Sequence, residues 1–437
     1  MSNAMLTFLG TNDYLPCNYS LNGKKVNDVR FIQEAIVHLL CKDWSKEDRI
    51  IIFLTEGAKN INWVDDGHKD RDSKPLQREG LKHRLDSLKL RANVITKDVP
   101  TGRSEDEIWK IFDDILNQIN DDDEVIFDIT HGFRSLPLLA IIILNYARVL
   151  KNAKINGVYY GAVESLGTIH DIERMHIKDR DAPIFDLTPF IYLFDWTGAI
   201  DDFLTYGDAK DINKLTKEEL TPILKSTKGK DEDALNLKEL GNQLEKFTGL
   251  IQTSRGLGII RDFDFDNLRR LININKESIL KPINPLLDGI SNKTKNFNNN
   301  DVENGYAAVK WCIKHNLIQQ GYTLLQETMI SEIVVKHFGE NKIAEKNERE
   351  LVSQAINIRK GKIPENEWEE SAKNNKECVQ EIMDGLDDDF IRVYDSVSQY
   401  RNDINHAGFR DNPTKPGNIK KRLREYYEKV KGGTKDV

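Results

Sequence analysis

The chain has little cysteine: Cys17, Cys41, Cys312 and Cys378 lie far apart among 437 residues, with no C-x-x-C pair. That argues against a zinc ribbon, a redox pair and a disulfide scaffold, and it fits a reducing cytoplasm. Long apolar runs are missing too. A spanning helix needs roughly 18 to 20 apolar residues, and the longest candidate, Leu136 to Leu144, is broken by Pro137 and followed by Asn145. Positive charge is not in excess. With 63 Lys and Arg against 71 Asp and Glu, a globally basic nucleic-acid binder is excluded, although a local basic site is not. No G-x-G-x-x-G follows a strand, and the only G-x-G, Gly256-Leu257-Gly258, sits in helical surroundings. With no G-x-x-x-x-G-K-[ST] and no H-E-x-x-H either, nicotinamide chemistry, a P-loop NTPase and that class of zinc protease are disfavoured. The leader Met1-Ser2-Asn3-Ala4 has no apolar h-region and precedes a second Met, so it reads as a remnant ahead of a natural start at Met5.

What is present is a chain too long for one ordinary core, with enough apolar residues, 39%, to fill two or three domains. Up to about residue 190, short β-branched runs alternate with helical patterns, which predicts a parallel sheet with crossover helices. Strands are expected at Met5 to Leu9, Arg49 to Leu54, Asn93 to Val99, Glu124 to Ile129 and Ile155 to Tyr160. Helices are expected at Asp28 to Leu40, Pro75 to Lys89, Ser104 to Ile119 and Leu136 to Leu150. After Pro183 the strand signal fades, and Leu187 to Leu204, Lys217 to Leu250 and Phe263 to Leu280 carry helical spacing. Asn-rich Ser291 to Asn304 reads as a mobile connector. Strong helices at Gly321 to His337 and Asp389 to Tyr400 then flank the very polar stretch Glu340 to Glu381. The expected division is an α/β domain over 5–188, a helical linker region over 189–304 and an all-α domain over 305–437.

In an open α/β sheet, ligands sit beyond the carboxyl ends of the strands. Gly10-Thr11-Asn12-Asp13-Tyr14 follows the first strand and offers N–H groups and hydroxyls to a polar or phosphate-bearing ligand. Thr130-His131-Gly132-Phe133-Arg134-Ser135 follows the fourth, with a helix N-terminus behind it that favours an anion. A capped turn would explain Ser135 and Pro137 but not His131 beside Arg134. A third exit, Tyr160-Gly161-Ala162-Val163-Glu164, faces the same way. In the helical half, Arg401-Asn402-Asp403-Ile404-Asn405-His406 follows an amphipathic segment. An Arg and a His five residues apart lie roughly 140° apart on an ideal helix, so one copy does not converge on a point, whereas two copies across a two-fold axis can line a cleft. Such a set can cleave RNA without metal. The 2′-hydroxyl is the nucleophile, His trades its proton near neutral pH, and Arg stabilises the phosphorane-like transition state. Lys420, Lys421, Arg422, Arg424, Lys429 and Lys431 around Tyr426 and Tyr427 form a candidate substrate track, with an ordinary solvated terminal helix as the simpler account. Asp387-Asp388-Asp389 reads as a solvated turn.

Phe8-Leu9-Gly10-Thr11-Asn12-Asp13-Tyr14 and Asp128-Ile129-Thr130-His131-Gly132-Phe133-Arg134-Ser135-Leu136-Pro137 resemble the CARF (CRISPR-associated Rossmann fold) domain. Arg401-Asn402-Asp403-Ile404-Asn405-His406 is similar to the R-[polar]-x-x-x-H motif of HEPN ribonucleases. The joint resemblance implies a Rossmann-like CARF domain followed by an all-α HEPN domain. The implied activity is that of a cytoplasmic, homodimeric type III CRISPR ancillary endoribonuclease, which cuts single-stranded RNA once a cyclic oligoadenylate, tetra-adenylate ahead of hexa-adenylate, occupies the CARF dimer. It implies Arg401 and His406 as catalytic with Asn402 assisting, and Gly10, Thr11, Asn12, Thr130, His131, Gly132 and Arg134 as the activator site. No metal and no cofactor beyond the activator is expected. The stretch Glu340 to Glu381 does not map onto the family's pattern. The alternative from another class is a cyclic-nucleotide-responsive regulator that binds nucleic acid without cutting it. That reading lacks a compact basic recognition helix between Thr188 and Gly305.

Overall fold

The computed structural model describes residues 2–70, 72–132, 135–277, 284–409 and 411–432. The chain divides into two compact units, Met1–Tyr192 and Leu193–Val437. The first is built on a sheet of β1 (Asn3–Leu9), β2 (Cys17–Leu21), β3 (Lys24–Val29), β4 (Arg49–Leu54), β5 (Asn93–Asp98), β6 (Glu124–Asp128), β7 (Lys154–Gly161) and β8 (Asp181–Asp186), in the order β3-β2-β8-β7-β6-β1-β4-β5. Its helices are α1 (Ile32–Ile36), α2 (Glu56–Ala58), α3 (Leu81–Ser87), α4 (Glu105–Leu116), α5 (Leu136–Lys151) and α6 (Ile169–Arg174).

The five expected strands form a parallel core, β7-β6-β1-β4-β5, and alternation along each sends side chains to opposite faces. Met5 and Leu9 of β1 pack with Ile32, Ile36, Leu81 and Leu85 of α1 and α3. Ala4, Leu6 and Phe8 pack with Ile111, Ile115, Ile143 and Leu144 of α4 and α5. Each such Leu, Ile, Met or Phe side chain stabilises the fold by about 1.5–3 kcal/mol on burial, which is why these strands read as continuous apolar runs. The sheet is nevertheless mixed rather than purely parallel. β8 runs antiparallel to β7, and the β2–β3 hairpin is joined to it through the parallel β2–β8 pair.

Three further expectations for this half need correction. Residues assigned to a leader are part of the fold: Ala4 is fully buried in β1, the Asn3 N–H donates to Asp48 at 2.7 Å and the Ser2 hydroxyl to Asp123 at 2.7 Å. The helix expected from Asp28 begins at Ile32, because 24–29 pairs with β2 as a strand and Asp28 has φ +54°. The helix expected from Pro75 is only Leu81–Ser87; the residues before it form a loop pinned by the Asp65 and Asp66 carboxylates on the Gly80 and Arg78 N–H groups.

The second unit begins within α7 (Thr188–Tyr206) and continues with α8 (Lys210–Ser226), α9 (Glu232–Gln252), α10 (Phe265–Glu277), α11 (Asn284–Thr294) and α12 (Glu303–Lys314). Then come α13 (Ile318–Phe338), α14 (Lys346–Gly361), α15 (Glu370–Asn374), α16 (Lys376–Asp384), α17 (Asp388–Asn405) and α18 (Pro416–Val430). Lys217 to Leu250 is two helices, broken where Lys228 and Gly229 take φ +52° and +72°. Leu280 lies outside the described residues. The Asn-rich segment is a fixed turn rather than a mobile connector. Asn304 is fully buried and donates to the Ile259 and Asn298 carbonyls, and Asn299 accepts from the Phe265 N–H, so these amides satisfy backbone groups that would otherwise be orphaned. The polar stretch after Gly339, which the resemblance leaves unmapped, belongs to the helical core: Val352, Ala355, Ile356, Ala372 and Val379 join the same core as α13 and α17. Among the described residues no helix is long and apolar enough to cross a membrane.

Candidate functional site

β1 leads on through β4 to β5 on one side of the sheet, and β6 then returns to the other side of β1. The strand order therefore reverses between β1 and β6, and a crevice opens where their exits diverge. Gly10, Thr11 and Asn12 leave β1 there, and Thr130, His131 and Gly132 leave β6. A Cβ built on Gly10 would lie 3.7 Å from the Cβ of His131, so the two loops meet. Thr11, Asn12 and Gly132 are exposed at the rim, whereas Thr130 and His131 are partly buried. Arg134 lies outside the described residues.

The crevice floor is a buried hydrogen-bond chain. Asp128 is fully buried and accepts from the Thr7 hydroxyl at 2.7 Å and from the Thr130 hydroxyl and N–H at 2.5 and 3.0 Å. Burial pushes the Asp128 carboxyl up, against the hydrogen bonds from Thr130 and Thr7. The Thr130 oxygen also accepts from the Gly161 N–H at 2.8 Å, so this hydroxyl ties β6 to β7 rather than pointing outward. His131 packs at a tilt against Tyr14, ring centroids 4.5 Å apart, and desolvation pulls its imidazole down to about 4, leaving it neutral near pH 7. Burial raises the Tyr14 hydroxyl as well. Gly132 takes φ +141°, and a Cβ there would meet Leu136 at 2.5 Å, so the β6 exit requires glycine on two counts. Ser135 precedes α5 but makes no side-chain cap, so a capped turn does not account for it.

Sequence reasoning missed what holds the β1 loop. Asn62 is fully buried and donates to the Gly10 and Asn12 carbonyls at 2.9 and 2.8 Å, and its own oxygen faces His68 at 2.9 Å. Arg30 donates to the Tyr14 carbonyl and pairs with Asp13 at 2.9 Å. No local motif marks Asn62 or Arg30.

In the second unit, Asp387, Asp388 and Asp389 are exposed as expected, but they begin a helix: Asp387 caps the α17 N-terminus by accepting from the Phe390 N–H at 2.6 Å. Tyr394, Ser398 and Arg401 recur at helical spacing toward α13. Arg401 donates to the Gln326 amide oxygen at 3.3 Å, and Gln326 donates in turn to Ser398 at 2.9 Å. The other Arg401 terminal nitrogen is 4.0 Å from Glu327. Asn402 is exposed, and its carbonyl takes the His406 N–H at 2.9 Å. His406 ends the helix, exposed, ahead of Ala407 and Gly408 at φ +53° and +70°. The chain thus presents Arg401 on the helix barrel and His406 at its end. The basic α18 is partly spoken for: Arg422 and Lys421 pair with Glu425, and Lys431 with Glu303. Among the described residues no group of three or more His, Cys, Asp or Glu is placed to hold a metal ion.

Comparison with known proteins assigns the two segments separately. Residues 4–164 match the family described as CRISPR system endoribonuclease Csx1, CARF domain, and residues 192–301 match the second domain of CRISPR-associated protein MJ1674. The chain is 28% identical over 286 residues to the CRISPR-associated protein MJ1674 of Methanocaldococcus jannaschii, an alignment covering 61% of this chain and 40% of that relative. With the switch-point crevice lying inside the first match, these findings support a CRISPR-associated, CARF-containing protein.

Proposed function

We propose that this protein is a metal-independent endoribonuclease that cuts single-stranded RNA when a cyclic oligoadenylate binds its CARF unit. The observation that carries the reading is the meeting of the Gly10–Asn12 and Thr130–Gly132 loops at the sheet's switch point, within the segment similar to Csx1. A cyclic oligoadenylate is a symmetric polyanion with purine faces. The α5 N-terminus suits its phosphates, and the neutral His131–Tyr14 pair suits flat, uncharged bases. Sequence similarity to HEPN ribonucleases supports Arg401 and His406 as catalytic. His406 serves as the group that moves the proton of the attacking 2′-hydroxyl or the leaving 5′-oxygen, Arg401 neutralises charge on the transition state, and Asn402 assists.

The exposed face of α5 supports a homodimer. Leu138 and Val149 are 64% and 78% exposed, with Ile141, Ile142 and Tyr146 between them and Trp109 of α4 beside Tyr146 through Phe112. An apolar stripe of this kind marks an association surface. Because α5 starts at the β6 exit, pairing two copies along it sets two crevices side by side for a two-fold ligand. The test is to incubate labelled single-stranded RNA with the protein, with and without cyclic tetra- and hexa-adenylate. Cleavage only with a cyclic oligoadenylate is the expected result. RNA left intact under every condition sinks the reading.

A further inference from the structure

We infer that α14 sets the charge of the Arg401 site, with Arg349 withholding the Glu327 carboxylate from Arg401. The activity arm of this inference rests on the ribonuclease reading; the charge arrangement does not. α14 belongs to the polar stretch after Gly339 that the family resemblance leaves without a role.

Glu327, on α13, lies between two guanidinium groups. One carboxylate oxygen is 2.7 Å from Arg349, and the other is 4.0 Å from Arg401, at the limit of an ion pair. Arg349 also donates to the Ser331 hydroxyl at 2.9 Å, the Ile343 carbonyl at 2.9 Å and the Glu327 carbonyl at 3.3 Å, so its fork is fixed by four acceptors. Among the described residues, Arg401 has only the Gln326 amide oxygen at 3.3 Å as a close partner of this kind. Two cations thus share one anion, and the anion goes to Arg349. The uncompensated positive charge stays on Arg401, whose side chain is 31% exposed and so open to a phosphate. Charge-assisted bonds to a planar fork are the strong ones, and Arg349 wins the competition through geometry that Arg401 lacks. Without Arg349, the Glu327 carboxylate is free to close on Arg401, neutralising it and repelling the substrate phosphate. Arg349 and Glu327 are therefore positioning residues that act through Arg401.

The full-length protein is made as R349M and R349M/E327Q and compared with the parent in two measurements. In activator-dependent RNA cleavage, R349M should lower kcat about tenfold or more, the worth of one charge-assisted contact, and the double variant should recover most of that loss. In the second measurement, which needs no activity, phenylglyoxal labelling of Arg401 followed by peptide mass spectrometry should slow in R349M and return in R349M/E327Q. A merely structural Arg349 predicts no rescue by E327Q and no change in Arg401 labelling, and either result overturns the inference. A parent that cuts no RNA, with labelling that follows the expected pattern, overturns the ribonuclease reading and supports the charge arrangement. If R349M unfolds at lower temperature than the parent, R349Q and R349Q/E327Q make the same comparison with a hydrogen-bonding side chain kept and the cation removed.

Discussion

At the scale of single residues, the two candidate sites differ in how tightly their side chains are committed. His406 is exposed and Arg401 is half-buried with few close partners, so replacing them costs little packing. R401A and H406A should each lower the cleavage rate by roughly a hundredfold to ten-thousandfold with an unchanged unfolding temperature. Variants that cut at the parent's rate would remove the catalytic assignment. His131 is the opposite case. Its imidazole is held near 4 in the folded protein, against an ordinary value of 6.5, so between those values the unfolded chain binds a proton that the folded one refuses. Stability contributed by keeping His131 neutral is therefore complete above about pH 6.5 and lost as pH falls toward 4. The raised Asp128 carboxyl works in the other direction, and His315 in the second unit is also depressed to about 4, so the informative quantity is a difference. In thermal unfolding from pH 7 to pH 4.5, H131F should lose less stability than the parent; parallel curves would refute the account. The resemblance made the loop residues legible, but not their commitments. Thr130 turns inward because Asp128 and the Gly161 N–H engage both roles of its hydroxyl, and nothing in the T-H-G-F-R string shows that.

At the scale of elements, the five parallel strands were legible because both of their faces are covered, which leaves unbroken apolar runs. The other three were not. β2 and β3 alternate weakly, yet Asn22-Gly23, at φ +48° and +79°, is the two-residue signal of a tight hairpin and stood in the sequence unread. β8 was hidden by Pro183, a residue that ordinarily argues against a strand; here its carbonyl accepts from the Ala162 N–H, and the Ala162 carbonyl, which a proline cannot serve, takes the Ser165 N–H and hydroxyl instead. The helices of the polar stretch were missed because their apolar residues, such as Val352, Ala355 and Ile356, are few and set among many charges. For α5, the exposed stripe gives a prediction at this scale. L138E/V149E should convert a dimer into a monomer by light scattering, with an unfolding temperature close to the parent's, since exposed substitutions usually change stability by only about 0.5 kcal/mol. A dimer that persists moves the association surface elsewhere.

At the scale of the whole molecule, the proposed function places the activator crevice in the first unit and Arg401 and His406 in the second, so their link is a statement about populations. A ligand shifts a balance from about 1:99 to 99:1 only by binding one arrangement roughly 5.5 kcal/mol more tightly. Arg134→Ala, removing a candidate phosphate contact, should raise the activator concentration for half-maximal cleavage and leave rate at saturation, where H406A leaves almost none. A titration identical to the parent's removes Arg134 from the sensor. Because 2′-hydroxyl attack needs no activated water, cleavage should also persist in excess EDTA and give 2′,3′-cyclic phosphate or 3′-phosphate ends. Loss in EDTA with recovery on adding Mg²⁺ would place the chemistry elsewhere.

The glycine at the β1 exit also bears on how far the crevice can be altered. A Cβ at position 10 would stand 2.0 Å from the Tyr14 hydroxyl, the side chain that packs against His131. Gly10→Ala would thus displace an aromatic ring before any ligand arrived, so its loss of response would be no evidence of ligand contact. Gly132 behaves alike toward Leu136. On the proposed function, the freedom to take a different ligand lies in the exposed neighbours Thr11 and Asn12, which can change while the two glycines stay.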